Sequence, residues 1–305
     1  MIVCVAPSPA WDVTYGVERF REHATNRAHT VSARAGGKAV NVARILHALG
    51  EDVMVVAPVG GPTGELFAAD LAESGIALVA MDNATELRRT VTIVSDEAGD
   101  ATIVNEGCTL TEWPAFLAHV EEQLSEASVV VAAGSLPSAV PVDAFGELAR
   151  VGARHGVPVV VDTSGPALAA ALRGNPSLVK PNLAELPDIT DVTDPREAAR
   201  RLSTDSGTAV AVTLGADGIV LAADGEVWHG SVSRVLHGNP TGAGDAALAA
   251  FTRGIGTGTP WPDVLHDAVA LSGAAVLAPY AGEFDPAHHQ ELSEQVVVER
   301  VGARA

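Results

Sequence analysis

Short runs of consecutive Val, Ile and Ala alternate along the chain with longer stretches whose apolar positions recur at helical spacing. A run that is apolar at every position marks a strand covered on both faces, and its alternation with helices predicts parallel strands joined by crossover helices. On this basis strands are expected at Ile2 to Ala6, Val53 to Val59, Ser128 to Ala133, Val157 to Asp162, Leu178 to Lys180 and Ala209 to Leu214. Helix signals fall between them. One helix opens after Gly36-Gly37 and stops at Gly50, and another has Asp194 as N-cap with Pro195 in its first turn. Thr109 to Glu112 has capping-box spacing and predicts a helix towards Glu126. A last long pattern runs from near Pro262 through Ala275, and the chain from Asp285 onward reads as a terminal helix with a frayed 302–305 tail.

Two stretches, about 12–35 and 85–107, break this rhythm. They are more polar, rich in Thr and Arg, and partly alternating, as at Thr90 to Val94 and Ala101 to Val104. They predict antiparallel strands outside the main sheet, the right size for a small lid inserted twice into an α/β core of residues 1–11, 36–84 and 108–305. Pattern alone leaves open two ordinary hairpins without a function.

Composition narrows the function. Over 305 residues, 38 Asp and Glu stand against 19 Lys and Arg, a net charge of −19, which argues against a nucleic-acid or anionic-membrane partner. Of the 19 cations only Lys38 and Lys180 are lysines. Two cysteines, Cys4 and Cys108, suit a reducing cytoplasm better than a disulfide framework. The start breaks at Pro7 and Pro9 and reads as a first strand, not a signal peptide, and no apolar stretch is long enough to span a membrane.

Two glycine-opened helix starts carry the candidate chemistry. In Asn239-Pro240-Thr241-Gly242-Ala243-Gly244-Asp245, small residues let backbone N–H groups converge on an anion at the positive end of the following helix. Asp245 would repel that anion unless it had work to do, and the fitting work is to take a proton from a hydroxyl attacking a phosphoryl group. Two other readings stay open: a GxGxxA dinucleotide fingerprint with Asp263 further on, and a plain N-cap with flexible glycine. The fingerprint sits too near the chain's end to leave room for the remaining βαβ units. In Gly36-Gly37-Lys38-Ala39-Val40-Asn41, Lys38 and Asn41 share a helical face suited to sugar hydroxyls or a phosphate.

Together these segments resemble the two signatures of the ribokinase-like carbohydrate kinases, in their phosphofructokinase B branch. Between them, in that branch's order, come Gly134-Ser135-Leu136-Pro137, Asp162-Thr163-Ser164-Gly165, Lys180-Pro181-Asn182-Leu183-Ala184-Glu185 and Thr213-Leu214-Gly215-Ala216-Asp217-Gly218. The resemblance spans nearly the whole chain and implies a three-layer α/β/α fold with a mostly parallel sheet and a small β lid. It implies an ATP-dependent, magnesium-requiring sugar kinase. Asp245 would be its catalytic base, and Gly242, Ala243 and Gly244 its anion hole. Lys180, Asn182, Thr213, Gly215 and Gly218 would meet the nucleotide, and Asn182 with Glu185 would orient magnesium through water and phosphate. Asp12, Gly36, Gly37, Asn41 and Ser135 would hold the sugar, and Arg27, Lys38 and Arg88 an acceptor phosphate.

Residue by residue, plainer readings stand beside these: a helix cap for Asn182 and Glu185, a hairpin turn for Gly215 and Gly218, and a loop acid for Asp12. The branch named by the motifs contains 1-phosphofructokinase and tagatose-6-phosphate kinase, so fructose 1-phosphate, tagatose 6-phosphate and fructose 6-phosphate are the expected acceptors. Three departures from its pattern matter. Leu87-Arg88-Arg89-Thr90-Val91-Thr92 stands where the branch reads Thr-Arg-Thr-Asn-Val-Lys, Asn105-Glu106-Gly107-Cys108 where it reads Asn-Glu-Pro-Gly, and Ala281-Gly282-Glu283 where it has a Gly-Thr-Gly type of turn. The lid thus loses a cation, for which Arg89 is the nearest substitute, and a neutral hexose remains an alternative acceptor. A non-catalytic nucleotide or sugar sensor and a Rossmann oxidoreductase are the rivals from other classes. In the family, lid strands often pair between subunits, so the resemblance allows a homodimer.

Overall fold

Successive residues of the first strand send their side chains to opposite faces of a sheet, and both faces are dry. Ile2 and Cys4 join one apolar cluster with Val40, Phe67, Phe251 and Leu265, while Val3 and Val5 join another with Phe116, Phe145, Leu168 and Ala198. That split explains why the strand segments are apolar throughout: each is a two-residue repeat with both positions buried.

The computed structural model describes residues 1–97 and 100–302. In chain order it holds β1 (Ile2–Val5), β2 (Ala10–Val17), β3 (Thr30–Gly36), α1 (Lys38–Ala48), β4 (Val53–Val59), α2 (Gly61–Glu73), β5 (Ala77–Asp82), β6 (Arg89–Ser95) and β7 (Asp100–Asn105). Then come α3 (Trp113–Glu122), β8 (Val129–Ala133), α4 (Ala144–His155), β9 (Val159–Asp162), α5 (Gly165–Leu172), β10 (Leu178–Val179), α6 (Pro195–Ser206) and β11 (Ala209–Thr213). The chain finishes with β12 (Ile219–Ala223), β13 (Glu226–Val232), α7 (Ala243–Thr257), α8 (Trp261–Val276), α9 (Pro286–Ser293) and β14 (Val296–Arg300).

The large sheet has ten strands in the order β14-β13-β12-β11-β10-β9-β8-β1-β4-β5. Pairing is parallel from β11 to β5 and antiparallel from β11 out to β14. Helices α1, α2, α7 and α8 cover one face and α3 to α6 the other, giving three layers. From β1 the order steps one way to β4 and β5 and the other way through β8 to β11, so a crevice opens at the carboxyl ends of β1 and β8.

A separate four-stranded sheet, β3-β2-β6-β7, stands over that crevice. Its two hairpin pairings are antiparallel as the alternation predicts, but β2 and β6, from the two separate chain segments, pair in parallel from Trp11 opposite Arg89 to Val17 opposite Ser95. Residues 98–99 of the second segment lie outside the described residues.

Other expectations need correcting. The stretch after Asp285 is not one terminal helix: α9 stops at Ser293, and Val296–Arg300 pairs antiparallel with β13 at the sheet edge. Three adjacent valines there favour the strand, whereas the Asp285 cap is a real one, accepting from Ala287 N and His288 N. Of the expected tail, 303–305 lies outside the described residues. The capping box at Thr109 does not form, because Thr109 Oγ1 contacts Ser138 Oγ at 2.8 Å and α3 starts at Trp113. The Asp194 cap does form, accepting from Arg196 N and Glu197 N at 3.0 Å each. Among the described residues no helix is long and apolar enough to cross a membrane.

Phe251 is fully buried beneath the sheet, so Phe251→Ala should cost about 3–5 kcal/mol by urea denaturation. Asp194→Ala, which removes only a cap, should cost about 1 kcal/mol in the same measurement.

Candidate active site

The crevice is a cleft of about 1970 Å³, against roughly 300–1,000 Å³ for a site holding one small ligand. It has room for two ligands side by side. Its walls come from strand ends and glycine-opened helix starts. Asp162 is the last residue of β9, Lys180 follows β10, Gly134-Ser135 follows β8, and the starts of α1 and α7 face each other across the floor.

One carboxylate organises the floor. Asp162, buried, takes Lys38 Nζ on Oδ1 at 3.1 Å and Lys180 Nζ on Oδ2 at 2.9 Å. Burial alone would raise the Asp162 carboxyl, but the two ammonium groups outweigh it and hold the carboxyl below its ordinary range. Burial likewise pulls the Lys38 amine down, while Asp162 and then Asp245 bring it above its usual value, so Lys38 stays charged. Lys180 lies buried beneath α7, where a Cβ on Gly244 would stand 3.4 Å from its Nζ.

Asp245 sits in the first turn of α7 and is buried. Asn41 Nδ2 of α1 donates to its Oδ2 at 2.8 Å. Burial raises the carboxyl to about 6, helped by the nearby Asp162 charge and opposed by the Asn41 hydrogen bond and the two lysines. A carboxylate so placed is poised to exchange a proton near neutral pH. Gly242 caps α7 at φ 90°, a backbone that favours glycine, and no side chain caps the helix. Gly242, Ala243 and Gly244 line the cleft beside Asp245 at this helix start, whose first N–H groups lack intrahelical partners; that of Ala243 donates to Pro240 O at 3.3 Å.

On the other wall stands Asp12 of β2. Its Oδ2 accepts from Gly37 N at 3.3 Å, while its Oδ1 is buried with no partner among the described residues. Burial raises this carboxyl in spite of Thr90, Gly37, Arg88 and Arg34. A buried acceptor left unpaired is costly, so Asp12 is a ready partner for a ligand hydroxyl. Gly36 leaves it room, since a Cβ there would overlap the Asp12 carboxylate. Arg88 reaches in beside it, donating to Ser8 Oγ at 3.0 Å, Ser8 O at 3.2 Å and Thr90 Oγ1 at 3.2 Å.

Of the residues picked from sequence, Asp12, Gly37, Lys38, Asn41, Arg88, Ser135, Lys180, Asn182, Thr213, Gly215, Gly218, Gly242, Ala243, Gly244 and Asp245 all line this one cleft. Gly36 lies behind Asp12. Arg27 does not come in: it is exposed in the segment between β2 and β3. Arg89 does not replace the lost lid cation either, because its Nη2 is turned to Thr63 Oγ1 and Glu86 Oε1 outside the cleft. Asn182 and Glu185 form a reciprocal cap, with Asn182 Oδ1 accepting from Glu185 N at 3.1 Å and Glu185 Oε2 from Asn182 N at 2.8 Å. The turn reading of Gly215 and Gly218 also holds, since β11 and β12 form a hairpin around them. Sequence reasoning misses Asp162, whose motif carries no sign of two lysines meeting it, and Arg34 and Ser8, which lack any pattern.

The match to a family model covers residues 2–288 and is described as pfkB family carbohydrate kinase. Among solved structures, Escherichia coli phosphofructokinase-2 in complex with fructose-6-phosphate is 25% identical with a TM-score of 0.85, over 96% of this chain and 98% of that one. The tetrameric inhibited form of the same enzyme gives 25% and 0.87 over the same shares. A Thermotoga maritima protein described as a possible 1-phosphofructokinase shares the fold at 24% identity, with a TM-score of 0.89 over 99% of this chain and 100% of that one. With the motifs in one cleft and the family model spanning nearly the whole chain, the protein belongs to the pfkB family of carbohydrate kinases, enzymes that pass a phosphoryl group to a sugar hydroxyl.

Proposed function

We propose that the protein transfers the γ-phosphoryl of ATP to a hydroxyl of a hexose phosphate, with fructose 1-phosphate, tagatose 6-phosphate and fructose 6-phosphate as the candidates. The observation that carries this reading is the Lys38–Asp162–Lys180 clamp beside Asp245, which brings one lysine from the start of α1 and one from the end of β10 into the same cleft. Asp12 and Asn41 bind sugar hydroxyls, and Asp245 takes the proton of the attacking one. The N–H groups at Gly242, Ala243 and Gly244, with Lys180, stabilise charge on the phosphoryl in transit. Lys38 and Arg88 hold the acceptor phosphate. The donor end, where Thr213, Gly215 and Gly218 meet the apolar Ile219, Val232, Leu236, Val269 and Val276, suits a nucleoside.

Magnesium fits this donor set only as a passenger of the triphosphate. Among the described residues no three metal-ligating side chains cluster, and a magnesium ion carried by phosphates and water needs few protein ligands. Asn182 and Glu185 would hold its water shell, and the ion would offset triphosphate charge. The small sheet, standing over the acceptor end, closes on the sugar and limits hydrolysis of ATP.

A neutral hexose is the second reading. It is favoured by the cleft-facing side of the small sheet beyond Asp12 and Arg34, where Thr14, Ser32, Thr90, Thr92, Val94, Ala101 and Ile103 carry no charge, and by Arg27 being exposed and Arg89 turned to Thr63 and Glu86. The opposite side of that sheet exposes Tyr15, Val31 and Val104, and we assign it to pairing with a second copy of the chain in the cytoplasm.

ADP release, measured across neutral sugars and sugar phosphates, should be fastest with a hexose phosphate. In that assay Lys38→Ala should raise the acceptor KM at least about tenfold more than the KM for ATP, one ion-paired contact being worth that much; equal effects would remove Lys38 from the acceptor side. Asp245→Asn should lower kcat by roughly 10²–10⁴-fold while ATP still binds. Because the base must be ionised, kcat/KM of the wild type should fall as pH drops through about 6. A folded-state carboxyl raised by burial weakens the fold when ionised, so Asp245→Asn should also melt higher than wild type at pH 8, a gap that narrows below pH 6. Sedimentation of the wild type as a dimer and of Val31→Glu as a monomer would support the assembly.

A further inference from the structure

The turn after α8 has no role in the assignments above, yet it touches both sides of the floor. Asn239 Nδ2, just ahead of the α7 start, donates to Pro279 O at 3.2 Å. Gly242 passes so close that a Cβ there would stand 2.8 Å from Ala281 Cα. On the α1 side, Gly282 at φ 79° packs on Asn41, where a Cβ would stand 3.1 Å from both Asn41 Cα and Oδ1. One short turn therefore backs the anion-binding loop and the amide that orients Asp245.

A single side chain grips this turn from the small sheet. Arg34 of β3, directly opposite Asp12 of β2, donates from Nη1 to Glu283 Oε1 at 2.6 Å and from Nη2 to Ala281 O. Its guanidinium carbon lies 5.4 Å from the centroid of the Tyr280 ring. The Arg34 side chain is 19% exposed, so this fork is largely withdrawn from water. The next residue is tied to the core, with Ala35 N donating to Asp70 Oδ2 at 3.0 Å and Ala35 O accepting from Arg44 Nε at 3.3 Å. Arg34 thus stands where the small sheet leaves the core, beside the residue expected to meet the sugar and in contact with the turn behind Gly242.

We propose that Arg34 is a positioning residue of the kinase. By holding Ala281 O and Glu283 together it seats the 279–283 turn against Gly242 and Asn41, and it ties the stance of the small sheet to the geometry of the anion-binding loop. The proposal rests on the reading of residues 242–244 as the anion hole. A planar fork spans two acceptors two residues apart, which an ammonium group does less well. Release of the turn lets the loop drift, and contacts aimed at charge that develops in transit suffer more than those made to bound nucleotide.

The test compares binding of MgADP alone with binding of MgADP plus aluminium fluoride, a mimic of the phosphoryl in transit, by calorimetry. It uses wild type, Arg34→Ala, Arg34→Lys and Glu283→Gln. MgADP affinity should stay within about twofold throughout, while the extra affinity conferred by aluminium fluoride should fall at least about tenfold in Arg34→Ala. Arg34→Lys and Glu283→Gln should fall between, and they carry the test if Arg34→Ala does not fold. An unchanged aluminium fluoride increment in the variants that fold overturns the proposal, as does a loss shared equally by MgADP. If the wild type itself shows no increment, the anion-hole reading fails and Arg34's role falls with it, whereas the choice of acceptor is untouched.

Discussion

Everything in the cleft depends on a carboxylate withdrawn from solvent. Asp162 is buried at the end of a fully buried strand, where an isolated charge would be costly enough to neutralise itself. Two ammonium groups, one on each oxygen, keep it ionised, and it in turn keeps them from repelling each other. The arrangement fixes the distance between the α1 start and the β10 end, and hence between the two ends of the cleft. Removal of the carboxylate would leave two cations facing each other, so this one position governs the electrostatics of the whole floor.

The fold makes that clamp possible through its strand order. Because the order reverses at β1 and β8, the ends of neighbouring strands diverge, and the residues after them reach into a shared gap instead of into a helix layer. The starts of α1 and α7 fill the gap from one face of the sheet, each opened by glycine so that backbone comes close. Asp245 bears the cost: the burial that tunes its carboxyl for proton exchange also destabilises its ionised form, an expense a core of this size can absorb.

How much of this is legible in the sequence follows from which interactions are local. The six buried strands read clearly because both faces are apolar, and the glycine-opened helix starts read clearly because glycine placement is a backbone requirement. The antiparallel edge is only half legible: Asp224-Gly225, both at positive φ, is a hairpin signal between β12 and β13, but three valines after α9 can end a helix or begin a strand until a partner edge is present. The Thr109 cap fails for a similar reason, since Ser138, 29 residues away, competes for its hydroxyl. Site residues embedded in motifs come together, whereas Asp162 and Arg34 act through partners 124 and 249 residues distant that no spacing rule connects. Arg27 and Arg89 show the converse, charges of the right type whose direction is set by a loop and by Glu86.

The scarcity of lysine has a chemical consequence beyond phosphate binding. With 17 arginines carrying the rest of the positive charge, the chain offers acylating or carbamoylating reagents no surface side-chain amine of the ordinary kind. Lys180 reaches the cleft from under α7 with its side chain only 5% exposed, so the side-chain amine most open to solvent is Lys38, 42% exposed in the clamp. Amine-directed labelling, which scatters over the surface of most proteins, here finds its side-chain targets inside the cleft, where the ion pair with Asp162 holds Lys38 in the charged form that does not acylate until that pair is broken.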